Sequence, residues 1–142
     1  MSTERNKELA RAAIEIWSTG DVDRADEIFA PDYVMHQHHG PDDSSPLGVE
    51  AIKEFVREFR RAFSDFTDTI HIQLAEGDLV STAFTSTGTS DGPLHNVQPT
   101  GKRVTWTGMV IDRVRDGRIV ESWGNWDQLG MLQQLDAVTV RD

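Results

Sequence analysis

Three ionisable side chains stand where proton chemistry is possible: Asp112, His36 and Asp127. Asp112 lies on a long strand pattern that is otherwise apolar or small on one face. A carboxylate facing an apolar cavity has a raised pKa and can act as general acid or base. It stands three residues from a turn, so the alternative is a rim position, in water or paired with an arginine. His36 opens an H-x-H-H cluster with His38 and His39. Alternation puts His36 and His38 on one face, close enough to share a metal, but no Asp or Glu is positioned as a third ligand. No metal is expected. A neutral imidazole at position 36 can still accept or donate a proton near pH 7, or simply hydrogen-bond the backbone or Tyr33. Asp127 precedes the amphipathic run QLGMLQQL and reads as its N-cap.

Other chemistries find no residues. There is no cysteine, hence no disulfide, thiolate or cysteine nucleophile. Walker, dinucleotide-binding, G-x-S-x-G and H-E-x-x-H patterns do not occur, and Ser44, Ser45 and Ser81 have no base partner in sequence.

The elements that must position these groups follow from periodicity. Leu9, Ala10, Ala13, Ile14 and Trp17 repeat at the helical spacing before Gly20. Val22, Ala25, Ile28 and Phe29 predict a shorter second helix, and Tyr33 to His38 a short strand. Ile52, Phe55, Val56, Phe59 and Phe63 form the apolar stripe of a third helix. From Phe66 the period is two, with Ile70, Ile72 and Leu74 sharing a face. Three helices with one early strand, then a four-stranded antiparallel meander and a short C-terminal helix, make an α+β fold in one domain over residues 1–142. Helices on one side of a strongly curved sheet leave an open cone between the layers.

The final hairpin, 104–127, allows two registers around Arg115-Asp116-Gly117. A two-residue Asp-Gly turn pairs Val114 with Ile119 and sets Asp112 opposite Glu121. A three-residue loop with Gly117 in a bulge pairs Val114 with Arg118. The second is preferred because it removes the like-charge pair and lets Arg113 reach Glu121 diagonally. It gathers Val104, Trp106, Gly108, Val110, Asp112, Val120, Ser122, Gly124 and Trp126 on one face, with Gly108 opposite Gly124 as a gap in a pocket floor. Ile119, Trp123 and Asp127 fall on the other.

Planar side chains suit an aromatic ligand. Trp106 and Trp126 are on the pocket face, and Trp17 and Tyr33 lie on elements that close over it. All four can equally be core. Trp123 shares the opposite face with Met109 and Ile111, and an apolar patch there predicts a subunit contact.

At this point the chain resembles the SnoaL-like polyketide cyclases of the nuclear-transport-factor-two-like superfamily. The matching pieces are IWSTGDVDRADEIFAPDYVMH, AIKEFVREFRRAF, QPTGKRVTWTGMVIDRVRDGRIVESW and WDQLGMLQQL, in the family's order through nearly the whole chain. The resemblance implies a cone-shaped domain, pairing into homodimers through the outer sheet face, and a histidine at position 36 pointing into the cone. It also implies intramolecular aldol ring closure in an aromatic polyketide, with no metal or organic cofactor. That chemistry is run by an Asp on the last strand and a His on the strand before. Aligned without gaps, those positions fall on Gly124 and Val110, neither of which can move a proton.

A net charge of −10 opposes binding to nucleic acid or anionic lipid. There is no apolar run long enough to span a membrane and no signal-peptide order at the N-terminus, so the cytoplasm is the expected location. Three functions fit: a cofactor-free lyase or isomerase using Asp112 or His36 on a small carbonyl compound, a binding module for a similar ligand, or a dimerisation domain whose cone is filled by its own side chains.

Overall fold

The computed structural model describes residues 2–37 and 47–141. Helix α1 (Thr3–Thr19) starts where the Ser2 hydroxyl accepts the Arg5 N–H and ends at Gly20, whose φ of 76° closes the last turn. A 3-10 turn, Val22–Arg24, and the one-turn α2 (Ala25–Ile28) lead into β1 (Phe29–Gln37). Helix α3 (Val49–Ala62) buries Ile52, Val56 and Ala62 against the sheet. Its Arg60 guanidinium donates to the carbonyls of Ser18 (2.8 Å) and Phe66 (3.0 Å), tying α1, α3 and the start of the sheet together.

The strands β2 (Thr67–Glu76), β3 (Leu79–Thr89), β4 (Arg103–Arg115) and β5 (Arg118–Trp126) form the predicted antiparallel meander. β1 joins it beside β5 as a parallel strand, giving the order β1-β5-β4-β3-β2. The sheet is curled without closing, and the helices pack on its concave side, so the α+β cone is as expected. β4 outruns β5 at residues 103–107. There the free edge is satisfied by the Asp127 N–H, which bonds the Thr107 carbonyl at 2.9 Å, and by Gln134, which bonds both backbone groups of Thr105. Gln134 belongs to α4 (Gln128–Gln134); its Met131 and the capping residue Leu135 are buried in one cluster with Trp106 and Phe63. None of the helices described is long and apolar enough to cross a membrane.

Two readings of strand phase are corrected. In β2 a register shift between Ile70 and Ile72 reverses the alternation. Ile72 and Leu74 are therefore 57% and 67% exposed on the convex side. Gln73 turns inward instead and donates to the Lys7 carbonyl and the Thr82 hydroxyl.

In the β4–β5 hairpin the preferred three-residue loop, with Gly117 in a bulge and Val114 opposite Arg118, does not form. Asp116 (φ 54°) and Gly117 (φ 77°) make a two-residue left-handed turn, pairing Arg115 with Arg118 and Val114 with Ile119. A bulge then absorbs the extra residue, so Arg113 faces Glu121 directly and Asp112 faces Ser122. Ile119 is consequently core (0% exposed) rather than outward. The residues beyond the bulge keep the expected faces, but Gly108 opposes Trp126 and Gly124 opposes Val110. The expected glycine-against-glycine gap does not exist.

Candidate functional site

Between helices and sheet lies a cavity of about 390 Å³, within the size range of small-molecule pockets. One wall is an interlocked set of rings. Phe59 from α3 stands edge-on to Trp17, Trp106 and Trp126 at 5.8, 6.1 and 5.8 Å, and Trp106 meets Trp126 at 6.0 Å. Phe66 completes it. Trp17, Tyr33, Val110, Gly124 and Trp126 line the cavity, as does Trp106, which is itself only 4% exposed. The two glycines differ. A Cβ on Gly108 would lie 2.5 Å from Cζ of Phe84, so the Phe84 ring already occupies that space. A Cβ on Gly124 would meet only Met35 Sδ at 3.6 Å and Val110 at 4.0 Å, which leaves Gly124 open to the cavity.

Asp112 is neither solvated nor paired with an arginine. It is 3% exposed. The Ser122 hydroxyl donates to its Oδ1, while Oδ2 has no hydrogen-bond partner among the described residues. Burial pushes its pKa up to about 7, against the smaller opposing pull of the Ser122 donor. Ser122, fully buried, thus acts on the acid rather than on the cavity surface. Tyr33, packed on Phe29 at 4.5 Å, stands beside this pair. Its buried hydroxyl makes no hydrogen bond of normal geometry among the described residues. Burial holds its pKa well above the ordinary phenol value; nearby Ser122 opposes this and the charge of Asp112 adds to it.

His36 does not enter the cone. Tyr33 and Met35 take the inward phase of β1, so alternation sends His36 to the convex face. There its Nε2 lies 2.8 Å from Glu121 Oε2 and its ring stacks on Trp123 at 5.5 Å. Arg113 bonds the other Glu121 oxygen at 3.0 Å and covers Trp123 from 5.3 Å. His38 and His39 lie outside the described residues. Among the described ones, no three acidic or histidine side chains come together as a metal site. Asp127 caps α4 through a 2.8 Å bond from the Gly130 N–H.

A second acid went unread in the sequence. Asp68 lines the cavity, accepts the Ser86 hydroxyl, and has a pKa raised to about 7 by burial, with Ser86 opposing. Its signal was available: Asp68 is a charged residue in the apolar phase between Phe66 and Ile70. The tip of the loop after β3 also reaches the cavity, a placement the sequence leaves open. Leu94 and Val97 bridge there and line the cavity with His95 and Asn96. Its base is fixed by the N–H groups of Asp91 and Gly92, both bonded to the Ala62 carbonyl at 3.1 Å. Such a loop has no periodicity to read.

A family model for the SnoaL-like polyketide cyclases matches residues 7–135. The chain belongs to that family. Among solved structures it is similar to AclR, a proposed hydroxylase from Streptomyces galilaeus, at 26% identity and TM-score 0.86, over 99% of this chain and 87% of that one. IdmH, a proposed polyketide cyclase from Streptomyces antibioticus, is 32% identical with TM-score 0.81, over 92% and 98%. A proposed polyketide cyclase from Acidithiobacillus ferrooxidans is 30% identical with TM-score 0.80, over 98% and 100%. No curated protein matches the chain. Membership in this family supports a cyclase- or isomerase-type function in general terms.

Proposed function

We propose that this protein is a cofactor-free proton-transfer enzyme of the cyclase, isomerase or lyase kind, acting on a flat, largely apolar carbonyl compound of polyketide type. The observation that carries this reading is Asp112: a buried carboxyl with one oxygen unpartnered, at a cavity walled by aromatic rings. The positions where the family's Asp and His were expected, Gly124 and Val110, face each other across β4 and β5. The Asp112–Ser122 pair is the next inward-facing pair toward the turn, roughly 7 Å along the strand at about 3.4 Å per residue. An acid is thus available one step from the usual place, on the same face.

The chemistry follows from the surroundings. With a pKa near neutrality, Asp112 is present in both forms at pH 7. As carboxylate, steadied by Ser122, it takes a proton from a carbon next to a carbonyl; as acid it returns that proton to another carbon or oxygen. Tyr33 holds a buried hydroxyl beside Asp112 and Ser122 that can donate to the developing enolate oxygen. Trp17, Trp106 and Trp126 hold the ring system and exclude water. The expected proton exchange by His36 is set aside, because its outward imidazole is engaged by Glu121.

The test is Asp112→Asn, screened with aromatic polyketide ketones. Turnover should fall at least about 100-fold with affinity changed less than tenfold. Unaltered turnover would sink the role of Asp112. Binding without any product from the wild type would favour the second reading, a ligand-binding module, which the proton-inert Gly124 and Val110 support.

The convex face supports a homodimer. Ile72, Leu74, Met109 and Ile111 are all strongly exposed there, an apolar surface of the kind a second copy covers. Light scattering should report a dimer that Met109→Asp dissociates; a monomeric wild type ends the idea.

A further inference from the structure

Asp68 and Asp112 reach the same cavity from different ends. Across the β3 ladder Asp112 stands opposite Val80 and Asp68 opposite Ser86. The run from Val80 to Ser86 is roughly 20 Å of extended strand at about 3.4 Å per residue. Each carboxyl accepts the hydroxyl of a buried serine on a neighbouring strand, Ser122 at one end and Ser86 at the other. The floor between them is apolar, formed by Val110 and Phe84 with Trp126 beside them.

No lysine or arginine lines the cavity among the described residues. A carboxylate or phosphate on a ligand would meet two acids in an apolar setting with no lysine or arginine to offset its charge, and His95 at the loop tip is exposed and turned toward Glu58, so burying that charge is unfavourable. A neutral ligand meets a different environment. Each Asp can accept from a hydroxyl or amine when ionised and donate to a carbonyl when protonated.

We infer that Asp68 and Asp112 anchor the two ends of one bound molecule, and that the cavity selects an uncharged, flat ligand with a hydrogen-bonding group at each end. This rests on the proposed reading of the cavity as a ligand site and adds Asp68 to it. A flat, fused-ring skeleton with a polar group at each end has the shape that such anchoring calls for.

Quenching of tryptophan fluorescence at pH 7 by three probes separates the possibilities: 2,6-diaminoanthraquinone, 2-aminoanthraquinone and anthraquinone-2-carboxylate. The wild type should bind the diamine about tenfold tighter than the monoamine, the increment of one hydrogen bond to a charged group. The carboxylate should bind at least about tenfold more weakly than the monoamine, the least that an uncompensated buried charge should cost. In Asp68→Leu the advantage of the diamine should shrink to about twofold while monoamine affinity holds, and Asp68→Asn should restore most of it through its amide oxygen. Circular dichroism checks folding, and the carboxylate comparison needs only the wild type. Equal wild-type affinity for diamine and monoamine, equal loss of both in Asp68→Leu, or tight carboxylate binding would overturn the two-anchor inference and leave the cavity reading standing. No quenching by any probe overturns both.

Discussion

The two faces of the β4–β5 ribbon carry ionisable groups in opposite circumstances. On the convex face Arg113, Glu121 and His36 satisfy one another around Trp123, in reach of water. On the concave face Asp112 has a single hydroxyl partner and an unpartnered oxygen, shut away from water. The outer group has more charge and more hydrogen bonds, while the inner carboxyl is buried, which pushes its pKa up to about 7. What makes a side chain a candidate for chemistry here is burial without full satisfaction, not the density of polar residues.

That contrast can be broken in several ways. The largest effect is expected on turnover: Asp112→Asn should cost about 10²–10⁴-fold in kcat for any compound the wild type converts, whereas His36→Ala should leave kcat within about threefold, having no route to the cavity. Next comes packing. Trp106→Ala should destabilise by about 3–5 kcal/mol in denaturant titrations, because it opens the ring wall; Trp123→Ala on the half-exposed outer face should cost well under half of that.

The pH dependence sharpens the comparison further. Asp112 has a folded-state pKa of about 7, above the ordinary value of 3.8. Between those values the folded state binds more protons at this group than the unfolded state, so the contribution of Asp112 to stability is greatest below about pH 4 and falls as pH rises toward 7. Above that it is flat. Asp112→Asn removes this loss, so it should be more stable than the wild type by about 2–4 kcal/mol at pH 8, with the gain shrinking steadily toward pH 4. A gain independent of pH would mean that Asp112 is not held in a raised-pKa state. The smallest effect belongs outside: Arg113→Ala should cost less than about 1 kcal/mol, as half-exposed ion pairs generally do.

Helix and strand identities were legible because their signals are local. The stripe from Leu9 to Trp17, the stripe from Ile52 to Phe63 and the Asp127 cap all behave as their spacing dictates. Phase was harder to read. Ile72 and Ile119 were each assigned to the wrong side because a bulge adds a residue without changing the composition around it. Asp112 was readable as the lone acid on its face, but its burial was not, since Tyr33, which stands beside it, lies far away in sequence. His36 sat in the right strand and the wrong phase. Asp68 was overlooked because one acid among alternating apolar residues reads as a strand end.

The bulge beside Val114 also sets which length changes this architecture tolerates. Removing Val120 would take out only the bulge's extra residue and leave Arg113 opposite Glu121, whereas removing Trp123, beyond the bulge, would rotate every later residue of β5 by half a period and send Gly124 and Trp126 outward. The same deletion in the stretch between β3 and β4 alters only how far a tip reaches. Chains built on this plan should therefore differ in size at the loop and hold β5 beyond the bulge to a fixed count.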